Sequence, residues 1–467
     1  NRRLRVRIPA LRQGMKINKS PWIHQLNQDR KAISLSQDID TDTVIVGAGI
    51  AGISTAFFLL KHTNKRVVLL DKGRLAHGAT GHNAGQVVGA FERPLEELVG
   101  EFGFEKVKEA LHDLHGAWRL IDEMYTEANL NILFSRTTRC RGFSSSHQVL
   151  LALKDLEIET LSGLPQNEFL ISDSAPFLEV IPSTMKHLYK LVPHEEVLQK
   201  LDTEDVEFHA AVSDQAACMN SALFCQEVVE FLLRTYPTRF NLYENTLIAK
   251  IVLKKNFGLL DAGKHTIHAE HIVLCTNGFE GLEIFNDGGL AIDKKFHHTV
   301  MGRVGYMSGY LEGTTKPPIA LAYFIDDSDP SQDDPYFYLT RRPHGNEDEK
   351  HNLVCVGGPE VAIEDREEYI YDYEYPEKMH EDIDAFIRRT HYSDAEKKIN
   401  YEFTWHGLMG YTPNRVRVIG SEPKNTVLLY NLGCNGIGIL PSIYGGKRIS
   451  KIIGGQNIRT SIFDPKG

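Results

Sequence analysis

A two-domain α/β fold is predicted by three features of this sequence. They are a strand–helix–strand unit opened by a Gly-rich turn at residue 47, an amphipathic helix over 103–130, and a block of alternating aromatic and polar residues within 296–360. The first feature calls for a parallel sheet, and the last suits antiparallel strands. A chain of 467 residues, 42% hydrophobic and 24% charged, can bury a large core, which excludes collagen-like, disordered and small disulfide-stapled chains. Its 62 acidic residues outnumber 52 Lys plus Arg, for a net charge of −10, so nucleic acid is not the expected partner.

Along the chain, the first segment is basic, with Arg2, Arg3, Arg5, Arg7, Arg12, Lys16 and Lys19 before the first acid, Asp29. An organelle transit peptide is basic too, but it is usually Ser-rich, and here Ser20 is the first serine. The plainer reading starts the protein at Met15. On either reading, residues 1–41 are expected to be an extension outside the core. The β-branched run Thr43–Val46 then predicts a strand, Ile50–Lys61 a helix, and Val67–Leu70 a second strand ending in Asp71.

Downstream, Val107, Leu111, Leu114, Trp118 and Ile121 recur at helical spacing within 103–130. Gln226–Thr235 reads as helix, Thr246–Leu253 and Ile267–Thr276 as strands, and Tyr336-Phe-Tyr-Leu339 as part of an antiparallel sheet. The acid-rich stretch 360–384 reads as a solvated loop leading into a helix. Val427–Asn431 reads as a last strand, followed by a Gly-rich turn over 433–438 and a closing helix from about Pro441.

The uncharged apolar stretch from Thr43 to Leu60 contains Gly47, Gly49 and Gly52 and is shorter than the roughly 20 residues a spanning helix needs. No membrane span is expected. The six cysteines form no C-x-x-C pair, which fits reduced thiols and a cytoplasmic location, although the basic N-terminus also suits organelle targeting. His112 with His115, and His297 with His298, lack further ligands, so no metal site is expected.

The sharpest motif is Val44-Ile-Val-Gly47-Ala-Gly49-Ile-Ala-Gly52, with Asp71 at the end of the next strand. Gly47 permits a tight turn, Gly49 lets a pyrophosphate approach the backbone, and Gly52 allows close helix–strand packing. The amides of Ile50 and Ala51 open the helix, and Asp71, followed by Lys72, is spaced to accept ribose hydroxyls. This is a Rossmann-like dinucleotide-binding unit. Taken alone it does not choose between FAD and NAD.

Two further Gly-rich stretches decide. One is Gly78-Ala-Thr80-Gly81-His82-Asn83-Ala84-Gly85-Gln86, and the other is Gly433-Cys-Asn435-Gly436-Ile437-Gly438. With Asn277-Gly278 and Trp405-His-Gly-Leu-Met-Gly-Tyr-Thr-Pro413 between them, the order resembles the FAD-dependent oxidoreductases of the D-amino-acid oxidase superfamily. That group includes glycine and sarcosine oxidases, dimethylglycine dehydrogenase and γ-glutamylputrescine oxidases. The resemblance covers about 42–455. It implies FAD as cofactor, with 78–86 bordering the pyrophosphate and flavin and 433–441 lying along the ring. It divides the chain into an FAD-binding domain (42–95, 206–290 and 404–460) and a mostly antiparallel α+β substrate domain (96–205 and 291–403). His82 stands where dimethylglycine dehydrogenase-like proteins attach FAD covalently, whereas a noncovalent loop donor is the plainer role. Cys434 reads as a small residue at a tight turn.

The resemblance also bears on substrate. The position of glycine oxidase's carboxylate-binding Arg is Met409 here, and that of sarcosine oxidase's Lys is Leu440. Two apolar residues in place of cations point to a primary or secondary amine without an α-carboxylate, oxidised to an imine by hydride transfer to flavin N5 and then hydrolysed. Oxygen or another acceptor would reoxidise the flavin. The alternatives are an amino-acid oxidase in which Arg303, Arg341 or Arg342 clamps the carboxylate, and a flavin-binding module without turnover. Tyr306 and His406 are the candidate catalytic residues, with Tyr310 beside them. Asp326, Asp327, Asp329, Asp333 and Asp334 offer a negative surface for a polyamine.

Overall fold

A computed structural model describes residues 18–466 except 28, 280, 293–299, 326–335, 346–349, 364–368, 370–374 and 393–397. The His297-His298 pair, the Asp326–Asp334 cluster, Met15 with its upstream basic segment, and most of the acidic loop after 360 lie outside the described residues. The elements used below are, in chain order, β1 (Ile39–Val46), α1 (Ile50–His62), β2 (Val67–Leu70), β3 (Thr266–Leu274), β4 (Met301–Gly313), β5 (Tyr401–Tyr411), β6 (Leu428–Leu432) and α2 (Ile439–Ile453).

β1 runs parallel to β2 on one side and to β3 on the other, with Val46 beside both Leu70 and Leu274. The C-terminal half of β3 pairs in parallel with β6, while its N-terminal half joins the antiparallel hairpin Lys250–Leu253 and Gly258–Asp261. The four residues of β2 and the last four of β1 are buried, as expected for strands covered on both faces, which explains their continuous apolar runs. α1 and α2 cover one face together with the helix Phe104–Ala128, and their apolar sides share a single core. The parallel strands therefore all end at one edge, where Gly47, Asp71, Cys275 and Gly433 begin the connecting turns.

The second sheet follows the order β5, β4, His351–Ile363, Tyr336–Pro343, Ile319–Phe324, Phe134–Phe143, Ala210–Met219, Glu168–Ser172, Lys190–Val192. It is mostly antiparallel, with Ile319–Phe324 parallel to Phe134–Phe143. Gln86–Val88, Ala210–Met219 and β5 from residue 404 onward fall in segments assigned above to the FAD-binding domain, but they pair here. Local patterning sets strand character and does not by itself choose the sheet. The helix expected from Gln226 begins at Ser221, under an Asn220 cap that accepts from the Ala222 and Leu223 amides at 3.0 Å.

One expectation is overturned. Residues 18–27 are built into the core: Trp22 is fully buried, its ring lies 6.5 Å edge-on from Trp405, and Ser20 and Leu26 are buried with it. Lys19 pairs with Thr404 through the backbone, and further on Arg30 grips Glu244 through both guanidinium arms. A basic, acid-poor composition concealed a short apolar helix, Pro21–His24, that completes the fold.

Candidate functional site

The turn after β1 is fixed by backbone geometry. Gly47 has φ +108°, and a Cβ there would lie 2.5 Å from the Cys275 carbonyl oxygen. At Gly52 a Cβ would come within 1.9 Å of the Gly47 oxygen, so these glycines let α1 start directly against β1. Gly49 caps α1 without a side-chain hydrogen bond. Asp71 secures the same turn: its two carboxylate oxygens accept the Ala48 and Gly73 amides, each at 2.8 Å. Burial raises its pKa, and those two amides oppose the rise. Each oxygen keeps a second lone pair for a ribose hydroxyl.

The 78–86 loop is tied in from four directions. Thr80 Oγ1 accepts the Ile50 amide at 3.0 Å. Ser221 Oγ and Asn83 Nδ2 both donate to the Thr80 carbonyl, at 2.6 and 2.8 Å. From the N-terminal segment, Trp22 Nε1 donates to the Asn83 carbonyl at 2.6 Å and Ser20 Oγ to that of Gly81. Gln86 reaches the second sheet through Leu321 and Leu339 carbonyls. His82 Nδ1 lies 3.0 Å from the Gly78 carbonyl, which can only accept, so the proton sits on Nδ1. Burial pushes its pKa down to about 4, so the ring is neutral at physiological pH.

The final turn folds back on the same place. Asn277, in the left-handed region at φ 60°, accepts the Cys434 amide at 2.8 Å, and Asn435 accepts that of Thr412 at 2.8 Å. Gly436 has φ +76°, and a Cβ there would sit 2.9 Å from Tyr411 Oη and 3.1 Å from a Glu92 oxygen. α2 starts at Gly438, which has no side-chain cap, so the N-termini of both α1 and α2 open toward one cavity of about 3680 Å³ between the sheets.

This cavity brings most of the expected cofactor residues together. Gly47, Gly49, Ile50 and Ala51 line it, as do Asp71 and Lys72. So do Thr80, His82, Asn83, Ala84 and Gln86 from the second loop, and Asn277, Gly436, Ile437 and Gly438 from the far end of the chain. Gly52, Gly81, Gly85, Gly278, Gly433 and Asn435 do not line it. They stand one layer behind, where close packing demands them: a Cβ on Gly85 would meet the Trp22 ring at 2.9 Å, and one on Gly278 would meet Val300 at 2.3 Å.

The two catalytic candidates are placed elsewhere. In the β4–β5 ladder, Arg303 stands opposite Met409, Gly305 opposite Gly407, and Tyr306 opposite His406. The strand alternation turns the first two pairs to the cavity, where a Cβ on Gly407 would lie 2.6 Å from the His82 oxygen, and turns Tyr306 and His406 to the opposite face. His406 Nδ1 meets at 3.0 Å the hydroxyl of Tyr369, which does line the cavity, and Tyr306 packs edge-on to Tyr375. Tyr310 is buried, its hydroxyl 3.4 Å from that of Tyr392.

Of the three arginines weighed, Arg303 alone lines the cavity. Arg341 is buried with Asp202 and Glu312, and Arg342 lies over the Trp22 ring. The cavity wall not foreseen in sequence consists of Tyr336, Tyr338 and Tyr411 with Glu92 and Glu360. Tyr336 donates to Glu92 at 3.1 Å, and Arg303 lies 3.8 Å from Glu360 and over the Tyr411 ring. Burial, reinforced by the nearby carboxylates, raises the pKa of Tyr336 and Tyr411 well above the ordinary value, so both remain neutral phenols. Their alternation with buried residues gave a strand signal that masked this role.

Asp155, on the helix Ser146–Leu161, lines a farther lobe and accepts the Leu95 amide at 2.8 Å. Burial pushes its carboxyl from 3.8 up to about 7. The folded state thus holds this proton where the unfolded chain has lost it, and stability falls as pH rises from about 4 to about 7. Asp155→Asn keeps an acceptor for Leu95. Thermal unfolding should show the variant melting above wild type at pH 8 by more than at pH 5. An equal difference at both pH values contradicts the assignment.

Two helix starts whose N-cap glycines bring no side chain of their own, glycines at 47 and 52 where any side chain would push the α1 start off its strand, and a carboxylate at the end of β2 fit the ADP half of FAD. The second loop and final turn leave room for its ring. The architecture therefore defines a flavin-binding α/β oxidoreductase fold. The chain belongs to the FAD dependent oxidoreductase (DAO) family, whose model matches residues 42–452.

It is similar to the "Putative Rieske 2Fe-2S iron-sulfur protein YhfW" of Bacillus subtilis, 21% identical over 62% of this chain and 51% of that protein. It is also similar to "Gamma-glutamylputrescine oxidoreductase" of Escherichia coli, 31% identical over 16% of this chain and 17% of that one. The matched stretches thus span about half or less of these curated relatives. Among solved structures, glycine oxidase from Geobacillus kaustophilus superposes with a TM-score of 0.64 at 14% identity, covering 91% of this chain and 98% of the other. L-proline dehydrogenase from P. horikoshii gives 0.63 at 15% identity over 91% and 95%. These likenesses establish the fold. Among the described residues no helix is long and apolar enough to cross a membrane, and no group of three His, Cys, Asp or Glu could hold a metal ion.

Proposed function

We propose that this chain is an FAD-dependent oxidoreductase acting on a small primary or secondary amine. The observation that carries this reading is the cavity wall beside Gly407, where Met409 occupies the position that the family resemblance gives to glycine oxidase's carboxylate-binding arginine, and where the nearby polar groups are neutral phenols, carboxylates and an Arg303 whose charge is shared with Glu360. Phenol faces and carboxylates suit a cationic or neutral amine, while Met409 supplies an apolar contact. When bound, FAD supplies the acceptor for a hydride from the substrate carbon next to nitrogen, and the imine so formed hydrolyses in water. The chain's own residues bind and orient the amine. Met409, Gly305 and Tyr338 form the wall against which its carbon skeleton rests, and Glu92 and Glu360 draw its nitrogen inward. Oxygen or another small acceptor completes the cycle.

A second reading, amino-acid oxidation, is favoured by one observation. Arg303 stands directly across the strand pair from Met409 and lines the same wall, so a substrate carboxylate could be met from the neighbouring strand. Anaerobic mixing with a substrate panel separates the two. Amine oxidation predicts that polyamines or N-alkyl amines bleach the oxidised-flavin band and that Arg303→Met leaves this intact. Bleaching by glycine or D-alanine, lost in Arg303→Met, selects the second reading. A yellow protein that no amine or amino acid bleaches overturns both.

A further inference from the structure

We propose that Arg417 is a cofactor-positioning residue whose buried positive charge is balanced by the diphosphate of bound FAD. Arg417 immediately precedes the strand Val418–Ser421, is only 6% exposed, and lines the cavity. Three of its five N–H groups are used: Nε donates to Asn431 Oδ1 at 2.8 Å, Nη2 to the Asn431 carbonyl at 3.0 Å, and Nη1 to the Gly433 carbonyl at 3.3 Å. All three acceptors are neutral. No Asp or Glu among the described residues forms an ion pair with it.

Three other buried arginines do have such partners. Arg139 is paired with Asp214 at 2.8 Å, Arg341 with Glu312 at 2.7 Å, and Arg448 with Asp464 at 2.5 Å. Arg342 also lacks a carboxylate, but it lies over an indole ring and away from the cavity. A buried guanidinium with only neutral partners is costly, and it persists where an anion completes it. Burial lowers the Arg417 pKa to about 10, still far above physiological pH, so the charge is present.

The position of this charge identifies the anion. Asn431, gripped twice by Arg417, donates on its other side to the Ser442 carbonyl in the first turn of α2 at 3.0 Å and toward Thr55 Oγ1 of α1 at 3.4 Å. Gly433 opens the final turn, and Cys275, at the end of β3, sits against Gly47. The charge therefore lies where the fingerprint turn and the final turn meet, behind two helix N-termini that favour the same sign of ligand. Oxidised FAD has a neutral ring and a doubly anionic diphosphate, and the diphosphate is the part the fingerprint turn is shaped to receive.

This inference rests on FAD being the cofactor. The test uses deflavinated full-length wild type, Arg417→Gln and Arg417→Lys. FAD binding is read by flavin fluorescence quenching, ADP binding by competition, and the midpoint potential on reconstituted protein. Arg417→Gln should bind both FAD and ADP at least tenfold more weakly, with the potential of bound flavin unchanged, and Arg417→Lys should recover most of the affinity. In addition, the flavin-free Gln variant should melt no lower than flavin-free wild type, since it loses an uncompensated charge. Unchanged FAD or ADP affinity in a folded Gln variant overturns the proposal, as does a lowered potential with affinity intact, which would assign the charge to the ring. Wild type that takes up no FAD refutes the cofactor assignment itself.

Discussion

Gly52→Val is expected to yield protein that retains no FAD and is destabilised by about 3 kcal/mol, the upper end for overpacking a close contact. The reason is steric and local. A Cβ at 52 would stand 1.9 Å from the Gly47 oxygen and 3.2 Å from Leu69 Cδ1, distances that force α1 away from β1. Moving α1 withdraws the Ile50 and Ala51 amides from the cavity and breaks the Thr80 bond to Ile50. Gly116→Ala is the contrast: the position is in the helix Phe104–Ala128 and a Cβ meets nothing within 4 Å, so stability should rise by up to about 1 kcal/mol with full flavin content. The flavin-to-protein absorbance ratio and thermal unfolding of both variants check this pair. A yellow, stable Gly52→Val protein would show that the close approach is not needed.

Trp22→Ala should produce the largest loss of stability among single substitutions in the N-terminal segment, about 3–5 kcal/mol for emptying a fully buried tryptophan site. The effect extends beyond packing. Trp22 Nε1 holds the Asn83 carbonyl, its ring fills the space against Gly85, and Trp405 leans on it from β5. Removing it loosens the 78–86 loop while leaving every cavity-lining residue in the chain. The expected result is a melting temperature lower by several degrees and faster FAD release on dilution. Trp22→Phe should recover much of the stability and leave the Asn83 carbonyl without its donor. If Trp22→Ala melts and releases FAD like wild type, the N-terminal segment is not part of the cofactor site.

What sequence could and could not reveal follows from the range of each signal. Gly47, Gly49, Gly52 and Asp71 are legible because their requirements are set within a few residues by a turn, a helix start and a strand end. Asn277 and the 433–438 turn are legible in the same way, through left-handed backbone that Gly and Asn accept. The side of β4 and β5 that faces the cavity is set by strand register, and a shift of one residue exchanges Tyr306 and His406 for Gly305 and Gly407. Candidate catalysts chosen by residue type therefore fell on the wrong face. Trp22 was hidden by its basic neighbours, and Arg417 because its lack of a carboxylate partner is a property of three-dimensional surroundings. Sheet membership of Gln86–Val88 and Ala210–Met219 likewise depends on long-range pairing.

The central claim is that the glycine turns after β1, β2 and β6 enclose one FAD per chain. Reconstitution measures this directly: purified protein, saturated with FAD and freed of excess by gel filtration, should be yellow and carry one flavin per polypeptide. A folded protein that emerges colourless after incubation with excess FAD would contradict the account.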